Sequence, residues 1–455
     1  MEAQPVEVKR VAGLDIAKDS VYACVLGDLG FKQEANFGTS QYNLLELYEW
    51  LTEFQVERVV MENTGVYSEP VEKTLRHGFQ VILVNAADVK RSNKKKTDQS
   101  DAWWLAQLLQ SGAIGSGGQI RSSFIPDQEQ ANLRILTRNQ ARYVAEATRY
   151  KNRVRKTFAR LNIKLPDIFG DNKFTQTAIE VYKAVAQGLS MEDFENQLVE
   201  QRTTLKGQEK GRVTRVLTFI SKNKTFLEDA LAQNVDKILS RQIQVSLLIE
   251  LEQISNLERY CDVLGQEIGC FIQQHPQFHE KYTILMSMPG IGERIAAHIL
   301  AELPPVELFA SGKKLASYAG LAPRVYQSAE TTHIGPITKR GSSHLRRAVF
   351  QAAKVASMRT DNNFGLTFKH MFQRKGKGRG KQCWVAVARR MMNIIWVLLT
   401  RKETYKEERF VKKTWKVKHD KLKLKNIQEL VDILKSKGVS IVGYHDASEK
   451  TFYHS

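Results

Sequence analysis

The chain has 455 residues, 42% hydrophobic and 26% charged, a composition that excludes disorder over most of its length. It carries 68 Lys and Arg against 49 Asp and Glu, a formal net charge of +19, so a polyanion such as nucleic acid is the first partner to expect. The four cysteines lack CxxC pairing, which excludes a zinc ribbon or disulfide framework and favours a reducing cytoplasm. No signal peptide and no membrane association are predicted, since the longest apolar run is far below the ~20 residues of a span.

The charge is unevenly distributed along the chain. Residues 1–125 hold 13 basic and 16 acidic residues, a net charge of −3, so the remaining 330 residues carry +22. We therefore predict a mildly acidic module at 1–125, a helical linker region at 126–280 with an insertion at 164–240, a further helical domain at 281–400, and a basic C-terminal extension at 401–455.

The acidic module reads as an α/β domain. Short β-branched or alternating runs predict strands, and apolar residues at three- and four-residue spacing predict helices. The predicted strands are 8–16, 20–27, 31–37, 58–62 and 79–85, and the predicted helices are 41–54, 67–77 and 98–110. Three meandering strands followed by alternating helices and strands indicate a mixed sheet in the ribonuclease H-like order.

Residues 126–280 are helical in pattern. The segment 134–155 is rich in arginine, and an apolar stripe from Leu247 to Ile268 skips Glu258, whose place Leu257 can take. This pattern predicts an antiparallel hairpin or short coiled coil, with the core helices of a bundle as the alternative.

The C-terminal half contains a helix–hairpin–helix pattern at 283–302, in which Gly290 and Gly292 lie in the turn and the following helix offers backbone N–H groups to a phosphate. An ordinary helical hairpin is the alternative. Helices are predicted at 313–320, 345–358 and 384–400, with an irregular loop at 322–343. The acid-free segment 373–381 is predicted to be a flexible loop that neutralises a nucleic-acid backbone. Its cations are Arg374, Lys375, Lys377, Arg379 and Lys381.

Four carboxylates stand where the predicted elements bring strand ends and a helix start together. Asp15 ends the first strand, Glu62 ends the fourth, and Asp98 and Asp101 begin the last helix of the module. Clustered carboxylates repel one another unless cations bind, and hard oxygen ligands select Mg²⁺ or Mn²⁺. Two such ions can serve a phosphodiester displacement. Lys94, Lys95 and Lys96 lie just before the helix and are candidate phosphate contacts.

These residues resemble a known family. Asp15, Glu62, Asp98 and Asp101, in GLDIAK, MENTG and KTDQSDA, look like the DEDD motif of bacterial insertion-sequence transposases and the related Piv-type DNA invertases. That motif lies in a domain similar to the RuvC Holliday-junction resolvase. The stretches SMPGIGERIAAHILAEL, FASGKKLASYAGLAPRVYQS and ITKRGSSHLRRAVFQAA are similar to the same family's transposase domain. The likeness covers about 1–112 and 283–358. Ala329 and Glu330, which follow Ser328 in the second of these stretches, depart from the small residues often found there in the family.

The resemblance implies that Ser328 attacks DNA to form a covalent phosphoserine intermediate, and that the enzyme is a tetramer or dimer. It further implies two duplex DNA partners, donor and target, and a structured noncoding bridge RNA that guides both. Cations near Ser328 in sequence suit phosphate clamping. They are Arg324, Lys339, Arg340, Arg346 and Arg347.

Three other functions compete with a recombinase. A RuvC-like nuclease would use the same carboxylates with water as nucleophile. An actin-like ATPase also begins with Gly-x-Asp, but no second Gly-rich phosphate loop is found here. A purely structural nucleic-acid-binding protein would not need the complete acidic set.

Overall fold

The computed structural model describes residues 10–85, 89, 98–114, 120, 122–170, 173–225, 227, 239–328, 331–376 and 378–407. The chain divides into two compact units, one formed by Met1–Phe271 with Leu300–Leu308 and the other by Ile272–Ile299 with Phe309–Ser455. The four-region division drawn from sequence stays a prediction. Lys94, Lys95, Lys96, Lys377 and the extension after residue 407 lie outside the described residues.

The first unit contains a mixed sheet in the order β3-β2-β1-β4-β5-β6. Its strands are β1 (Arg10–Ile16), β2 (Ser20–Gly27), β3 (Lys32–Gly38), β4 (Arg58–Glu62), β5 (Gln80–Val84) and β6 (Ser122–Ser123). The β1–β4 and β4–β5 pairs are parallel, and the others are antiparallel. The predicted mixed α/β layout is confirmed. Strand β6 was not predicted, because two residues are too short for a periodic signal.

Helices cover both faces of this sheet: α1 (Gln41–Glu53), α2 (Ser68–Leu75) and α3 (Asp98–Gln110). Helix α1 begins where the Ser40 side chain accepts a hydrogen bond from the Asn43 N–H, and it buries Leu44, Leu47 and Leu51. These leucines pack on one face of the sheet in a cluster with Val71 of α2. Helix α3 packs on the opposite face, so the strands are buried on both sides.

The rest of the first unit is helical. Two long helices, α4 (Gln128–Arg160) and α9 (Arg241–Gln274), run antiparallel, with α5 (Leu165–Ile168), α6 (Gln176–Ala186), α7 (Met191–Thr204) and α8 (Gly207–Lys222) between them in sequence. Leu257 is buried in place of Glu258, as predicted. Leu247, Leu251 and Ile254 share one core cluster with Tyr182 of α6. This end of the helix pair is therefore a bundle rather than an isolated coiled coil.

The second unit consists of helices and one β-hairpin. Its elements are α10 (Pro276–Met286), most of α11 (Glu293–Glu302), α12 (Gly312–Tyr318), β7 (Pro323–Ser328), β8 (Thr331–Ile337), α13 (Ser343–Met358), α14 (Asn363–Lys375) and α15 (Gly380–Arg401). The irregular loop predicted at 322–343 was wrong, because antiparallel pairing of β7 and β8 orders its middle. The flexible loop predicted at 373–381 was also wrong in extent. Helix α14 continues to Lys375 and α15 begins at Gly380.

Helix α15 meets the length and composition expected of a membrane-crossing helix, on those two criteria alone. Half of its most apolar window is nevertheless buried inside the protein. Met391, Ile395 and Leu398 are among its buried residues, and the helix packs against α12 and α13. These are the properties of a core helix, and they confirm the buried helix predicted at 384–400.

Candidate active site

Strands β1 and β4 bring two of the predicted carboxylates side by side. The strands are parallel and their register makes Leu14 and Met61 Cα partners, so Asp15 and Glu62 are the next residues along each strand. Leu14 and Met61 pack on the α1 face of the sheet. Because side chains alternate along a strand, Asp15 and Glu62 belong to the opposite face, which α3 covers. Both are half-buried.

A glycine lets α3 dock tightly against this edge of the sheet. A Cβ atom on Gly13 would stand 2.1 Å from the carbonyl oxygen of Ala102 and 2.5 Å from the backbone nitrogen of Ala106. Gly13 and Asp15 point to the same face, being two residues apart on β1. The helix therefore contacts β1 without an intervening side chain, two residues before Asp15.

Helix α3 is oriented so that its first residues lie at the end of β1 that carries Asp15. The Gln110 side chain near the end of the helix donates to the carbonyl oxygen of Gly27 at 3.1 Å, and Gly27 is the partner of Arg10 at the start of β1. From Gly13 to Asp15 the strand rises ~6.6 Å, and from Ala102 back to Asp98 the helix spans ~6 Å. The backbone of Asp98 therefore lies level with Asp15, and Asp101 is half-buried beside it in the first turn.

The donor set at this edge is chemically suited to a hard divalent cation. It consists of carboxylates alone, with no cysteine or histidine that would select a softer metal. Among the side chains that the structure describes, which exclude that of Asp98, no three His, Cys, Asp or Glu groups are close enough to hold a metal ion. The residues fit Mg²⁺ or Mn²⁺ by type and by placement of their strands and helix.

In the second unit, Ser328 is the last residue of β7. It pairs with Thr331 across a two-residue connection, so it stands at the tip of the hairpin. The register shifts between Pro323 and Val325, where Arg324 is exposed. A short hairpin with an irregular base carries the predicted nucleophile.

The base of the hairpin is fastened by close backbone contacts. The Lys339 N–H donates to the carbonyl oxygen of Gly320 at 3.1 Å. A Cβ on Gly341 would stand 1.8 Å from the carbonyl oxygen of Tyr318, and Gly341 has a φ of +97°, so only glycine fits. We call the two segments in contact, 318–322 and 338–341, the hairpin junction.

Arg346 holds this junction from α13. Its Nη1 donates to the carbonyl oxygens of Ala319 and Lys339, both at 3.2 Å. Burial lowers the pKa of this guanidinium. Arg346 was predicted to bind phosphate, whereas in the structure its guanidinium donates hydrogen bonds to the protein backbone. Lys339, Arg340 and Arg347 are exposed.

The two glycines of the helix–hairpin–helix pattern have different surroundings. The turn between α10 and α11 is present as predicted. Gly290 has a φ of +83°, and a Cβ there would stand 2.5 Å from the carbonyl oxygen of Ala352 in α13. Gly292 is exposed, with open space where a Cβ would be. Gly290 is therefore a packing contact, and Gly292 is the one of the pair that is open to solvent.

Two arginines of the segment 134–155 are engaged inside the first unit. Arg138 makes a bidentate pair with Glu302, Nε–Oε1 at 2.6 Å and Nη2–Oε2 at 3.0 Å, and Glu302 is buried. Arg134 donates to the carbonyl oxygen of Ala301 at 2.7 Å. Gln130 donates to the carbonyls of Leu300 and Leu303. This face of α4 therefore caps the end of α11, and the remaining arginines of the segment are exposed.

Sequence reasoning missed Gly13, the Arg138–Glu302 pair and the structural use of Arg346. Gly13 carried a usable signal, because glycine inside a strand pattern often marks close backbone approach. The ion pair joins residues that are 164 positions apart, and local patterns carry no signal of that kind.

Two family models match the chain. The DEDD transposase model named for IS110 matches residues 12–163, and the model of the transposase IS116/IS110/IS902 family matches residues 282–368. The two matched ranges together make up just over half of the chain and contain Asp15, Glu62, Asp98, Asp101 and Ser328.

Several curated proteins are similar to the chain, two of them over most of its length and one over about half. The pilin gene-inverting protein of Moraxella bovis is 24% identical over 86% of this chain and 96% of its own. The insertion element IS110 43.6 kDa protein of Streptomyces coelicolor is 25% identical over 87% of this chain and 95% of its own. The transposase for IS1111A of Coxiella burnetii is 28% identical over 46% of this chain and 58% of its own.

Family matches in both halves, relatives that span most of the chain and the acidic sheet edge agree. The chain belongs to the IS116/IS110/IS902 family of insertion-sequence transposases, and it is an enzyme of the transposase and recombinase class.

Proposed function

We propose that this transposase joins and exchanges DNA strands through a covalent phosphoserine intermediate at Ser328, with Mg²⁺ or Mn²⁺ held by Asp15, Glu62, Asp98 and Asp101 in a RuvC-like, ribonuclease H-like domain. The observation that carries the proposal is the placement of Asp15 and Glu62 on adjacent parallel strands, on the face where α3 begins. The ends of two strands and the start of a helix meet at this edge, and each of them carries at least one carboxylate of the proposed set.

The carboxylates would hold the cation, which supplies Lewis-acid stabilisation of the charge that develops on a phosphodiester. The contribution of the chain is to fix the donors in place. The register of β1 and β4 fixes Asp15 and Glu62, and the contact of Gly13 with Ala102 fixes the start of α3. A substitution of Gly13 should therefore change the reaction by moving α3, without removing a group that contacts DNA.

At the second centre, the Oγ of Ser328 forms a bond to phosphorus while the bond from phosphorus to one deoxyribose oxygen breaks. The serine proton ends on the released sugar hydroxyl. One phosphodiester replaces another, so bond energy is conserved and a sugar hydroxyl of a second strand can reverse the step on a new partner. This conservation is what strand exchange requires and what hydrolysis would forfeit.

The partners that we propose are duplex donor and target DNA, a structured noncoding RNA that guides both, and further copies of the chain in a dimer or tetramer, acting in the bacterial cytoplasm at the nucleoid. The net charge of +22 after residue 125 supports the polyanions. Exposed cations at Arg324, Lys339, Arg340, Arg347, Arg374 and Arg379 supply candidate contacts. An RNA enriched in the purified protein, bound more tightly than unrelated RNAs, is the expected result.

The carboxylates and Ser328 belong to different compact units of the chain. If two chains share one reaction centre, a mixture of Ser328→Ala and Asp15→Ala proteins regains strand cleavage that neither has alone. A mixture that assembles normally and stays inactive counts against sharing.

A junction-cleaving nuclease is the second candidate. The four carboxylates all belong to the first unit: Asp15, Glu62, Asp98 and Asp101. A nuclease built on them would need no element of the second unit. In that case water is the nucleophile and no protein–DNA adduct forms. Hydrolysed ends without an adduct would favour the nuclease.

The cation requirement tests the acidic site directly. We expect recombination to stop in chelator and in Asp15→Asn and Glu62→Gln. A ligand present at 100 times its dissociation constant stabilises a protein by ~2.7 kcal/mol, so Mg²⁺ should raise the melting temperature of the wild type. Neither variant should show that rise. Asp19→Asn, which removes an exposed carboxylate four residues from Asp15, is the matched control and should behave as wild type. Full activity in chelator would remove the metal from the proposal.

A further inference from the structure

Helix α4 presents a straight row of cations on its solvent face. The row consists of Arg142, Arg149, Arg153, Lys156 and Arg160, and we call it the basic ridge. All five are exposed. Their spacings of seven, four, three and four residues confine them to ~60° around the helix axis, at 3.6 residues per turn. The ridge lies opposite the buried face of α4, which includes Ala147, Val154 and Phe158.

The ridge is long and is almost free of opposing charge on its own helix. From Arg142 to Arg160 the helix extends ~27 Å. This segment holds seven Lys and Arg and a single acid, Glu146. A solvated helix face ordinarily mixes both signs, with Glu–Lys pairs at four-residue spacing. Here Arg149 with Arg153, and Lys156 with Arg160, place like charges at that spacing, where they repel.

The neighbouring helix α9 does not neutralise the row. Glu258 of α9 pairs with Lys151, which is outside the ridge. Burial raises the pKa of the Glu250 carboxyl of α9, and the positive charge of Arg153 partly offsets that rise. The two groups therefore attract each other without forming an ion pair. Within the described part of the chain, none of the five ridge residues forms an ion pair. Arg142 and Arg153 instead lie over the rings of Tyr143 and Tyr150, at 5.4 and 5.0 Å.

The shape of the ridge favours a nucleic acid over an acidic protein or an anionic membrane. A rigid row of cations matches a polymer with phosphates at regular intervals better than the scattered carboxylates of a folded protein. An anionic membrane would need an exposed apolar face on the same helix. The apolar face of α4 is buried, so a membrane surface does not fit.

We propose that the basic ridge binds the phosphate backbone of duplex DNA. The proposal rests on the proposed function, in that DNA is the polyanion a recombinase must hold. It goes further by assigning DNA contact to one face of one helix, away from both reacting centres in sequence. Because the contacts are to phosphate, they position the duplex and do not read its bases.

The test compares two triple variants of equal charge in the full-length protein. The ridge variant is Arg149→Gln, Arg153→Gln and Arg160→Gln. The control variant is Lys210→Gln, Arg215→Gln and Lys222→Gln, which removes three exposed cations from α8 in the same unit. Fluorescence anisotropy with a labelled 30-base-pair DNA duplex gives the affinity at salt concentrations from 50 to 300 mM. All six positions are exposed, so the melting temperatures should match that of the wild type.

Each phosphate contact contributes ~0.9 to the slope of log affinity against log salt for B-form DNA. The ridge variant should therefore lose ~2–3 from that slope and bind at least tenfold more weakly at 150 mM salt. The control variant should lose less than half as much. A charge-retaining variant, Arg149→Lys with Arg153→Lys and Arg160→Lys, should keep the wild-type slope. If the triple Gln variant misfolds, Arg153→Gln alone replaces it and should lose ~0.9 from the slope.

Four outcomes overturn the proposal. Equal loss in the ridge and control variants would mean that total charge alone matters. A loss confined to a 30-base-pair RNA duplex, with DNA affinity unchanged, would mean that RNA is the occupant. Wild-type protein without measurable affinity for DNA would refute the proposed function together with the ridge, whereas a ridge variant that binds DNA as wild type refutes the ridge alone.

Discussion

The carbonyl oxygen of Ala102 lies 2.1 Å from the place where a side chain on Gly13 would begin. This contact joins the first strand of the sheet to the helix that carries Asp98 and Asp101. No other residue type at position 13 leaves the helix where it is, because backbone atoms of Ala102 and Ala106 occupy the space. The placement of α3 at the acidic site therefore depends on the absence of a Cβ atom at position 13.

Gly13→Ala should displace α3 and impair the enzyme. Overpacking of this kind typically costs ~1–3 kcal/mol of the free energy of unfolding. A shift of ~1 Å at a reacting centre can lower the rate ~100-fold. Urea denaturation measures the first effect, and the rate of strand cleavage at saturating DNA measures the second.

Gly269→Ala is the matched control for this change. Gly269 is in the interior of α9, where a Cβ would meet no atom within 4 Å. Alanine is the better helix former by ~1 kcal/mol, so this variant should be slightly more stable and fully active. Normal cleavage by Gly13→Ala would show that the position of α3 does not control the acidic site.

Arg138 and Glu302 should be strongly coupled in stability. Glu302 is buried and Arg138 is partly exposed, so Arg138→Gln leaves a buried carboxylate with poor compensation. We expect a loss of roughly 2–4 kcal/mol, somewhat below the ~3–5 kcal/mol of a fully buried pair, because Arg138 is partly exposed. Adding Glu302→Gln should restore part of the loss, giving a coupling energy of ~1 kcal/mol or more in a double-mutant cycle. Additive effects would show that the pair is not an energetic unit.

Much of the fold is predictable because it depends on local periodicity. The buried leucines of α1, the strands around Asp15 and Glu62, and the replacement of Glu258 by Leu257 all follow from spacing alone. The hairpin of β7 and β8 was missed for two reasons. Apolar and polar residues alternate only weakly along these strands, and the strands are defined by their pairing with each other, for example Tyr326 opposite His333.

The same difference between local pattern and long-range contact applies to the predicted site residues. The carboxylate positions required only strand ends and a helix start, and the structure brings their backbones to one edge. Arg346 was assigned to phosphate because it lies in a basic stretch, and the carbonyl oxygens that it binds become visible only once the hairpin junction is folded.

Arg346→Lys should impair the reaction while leaving DNA affinity nearly intact. A lysine cannot reproduce a guanidinium that donates to both Ala319 and Lys339, so the hairpin loses its fixed orientation. We expect the rate of strand cleavage to fall ~10–100-fold at saturating DNA. Arg389→Lys, a change of the same kind at an exposed position of α15, should have no effect. A large loss of DNA affinity with a normal cleavage rate would instead indicate that Arg346 contacts phosphate.

Cys24 should be inert towards thiol reagents. Burial raises the pKa of its thiol from 9.0 to about 12, and Glu34 adds to the rise. Because the folded pKa lies above the unfolded value, the associated stability is complete below pH ~9 and is lost as the pH rises towards 12. At pH 8, iodoacetamide followed by mass spectrometry should find exposed Cys270 modified and Cys24 unmodified unless the protein is unfolded. Equal labelling of the two in the native protein would contradict the burial of β2.

The covalent link between Ser328 and DNA is the central claim, and a denaturing gel tests it most directly. Wild-type protein with Mg²⁺ and a labelled donor duplex should yield a protein–DNA band that resists denaturant and disappears with protease. Mass spectrometry should place the phosphodeoxynucleotide on the peptide containing Ser328. Ser328→Ala should bind DNA normally and give no such band, while Ser343→Ala, which removes an exposed hydroxyl at the start of α13, should give it at the wild-type level. A band of normal intensity from Ser328→Ala, or hydrolysed DNA with no band from the wild type, would contradict the account.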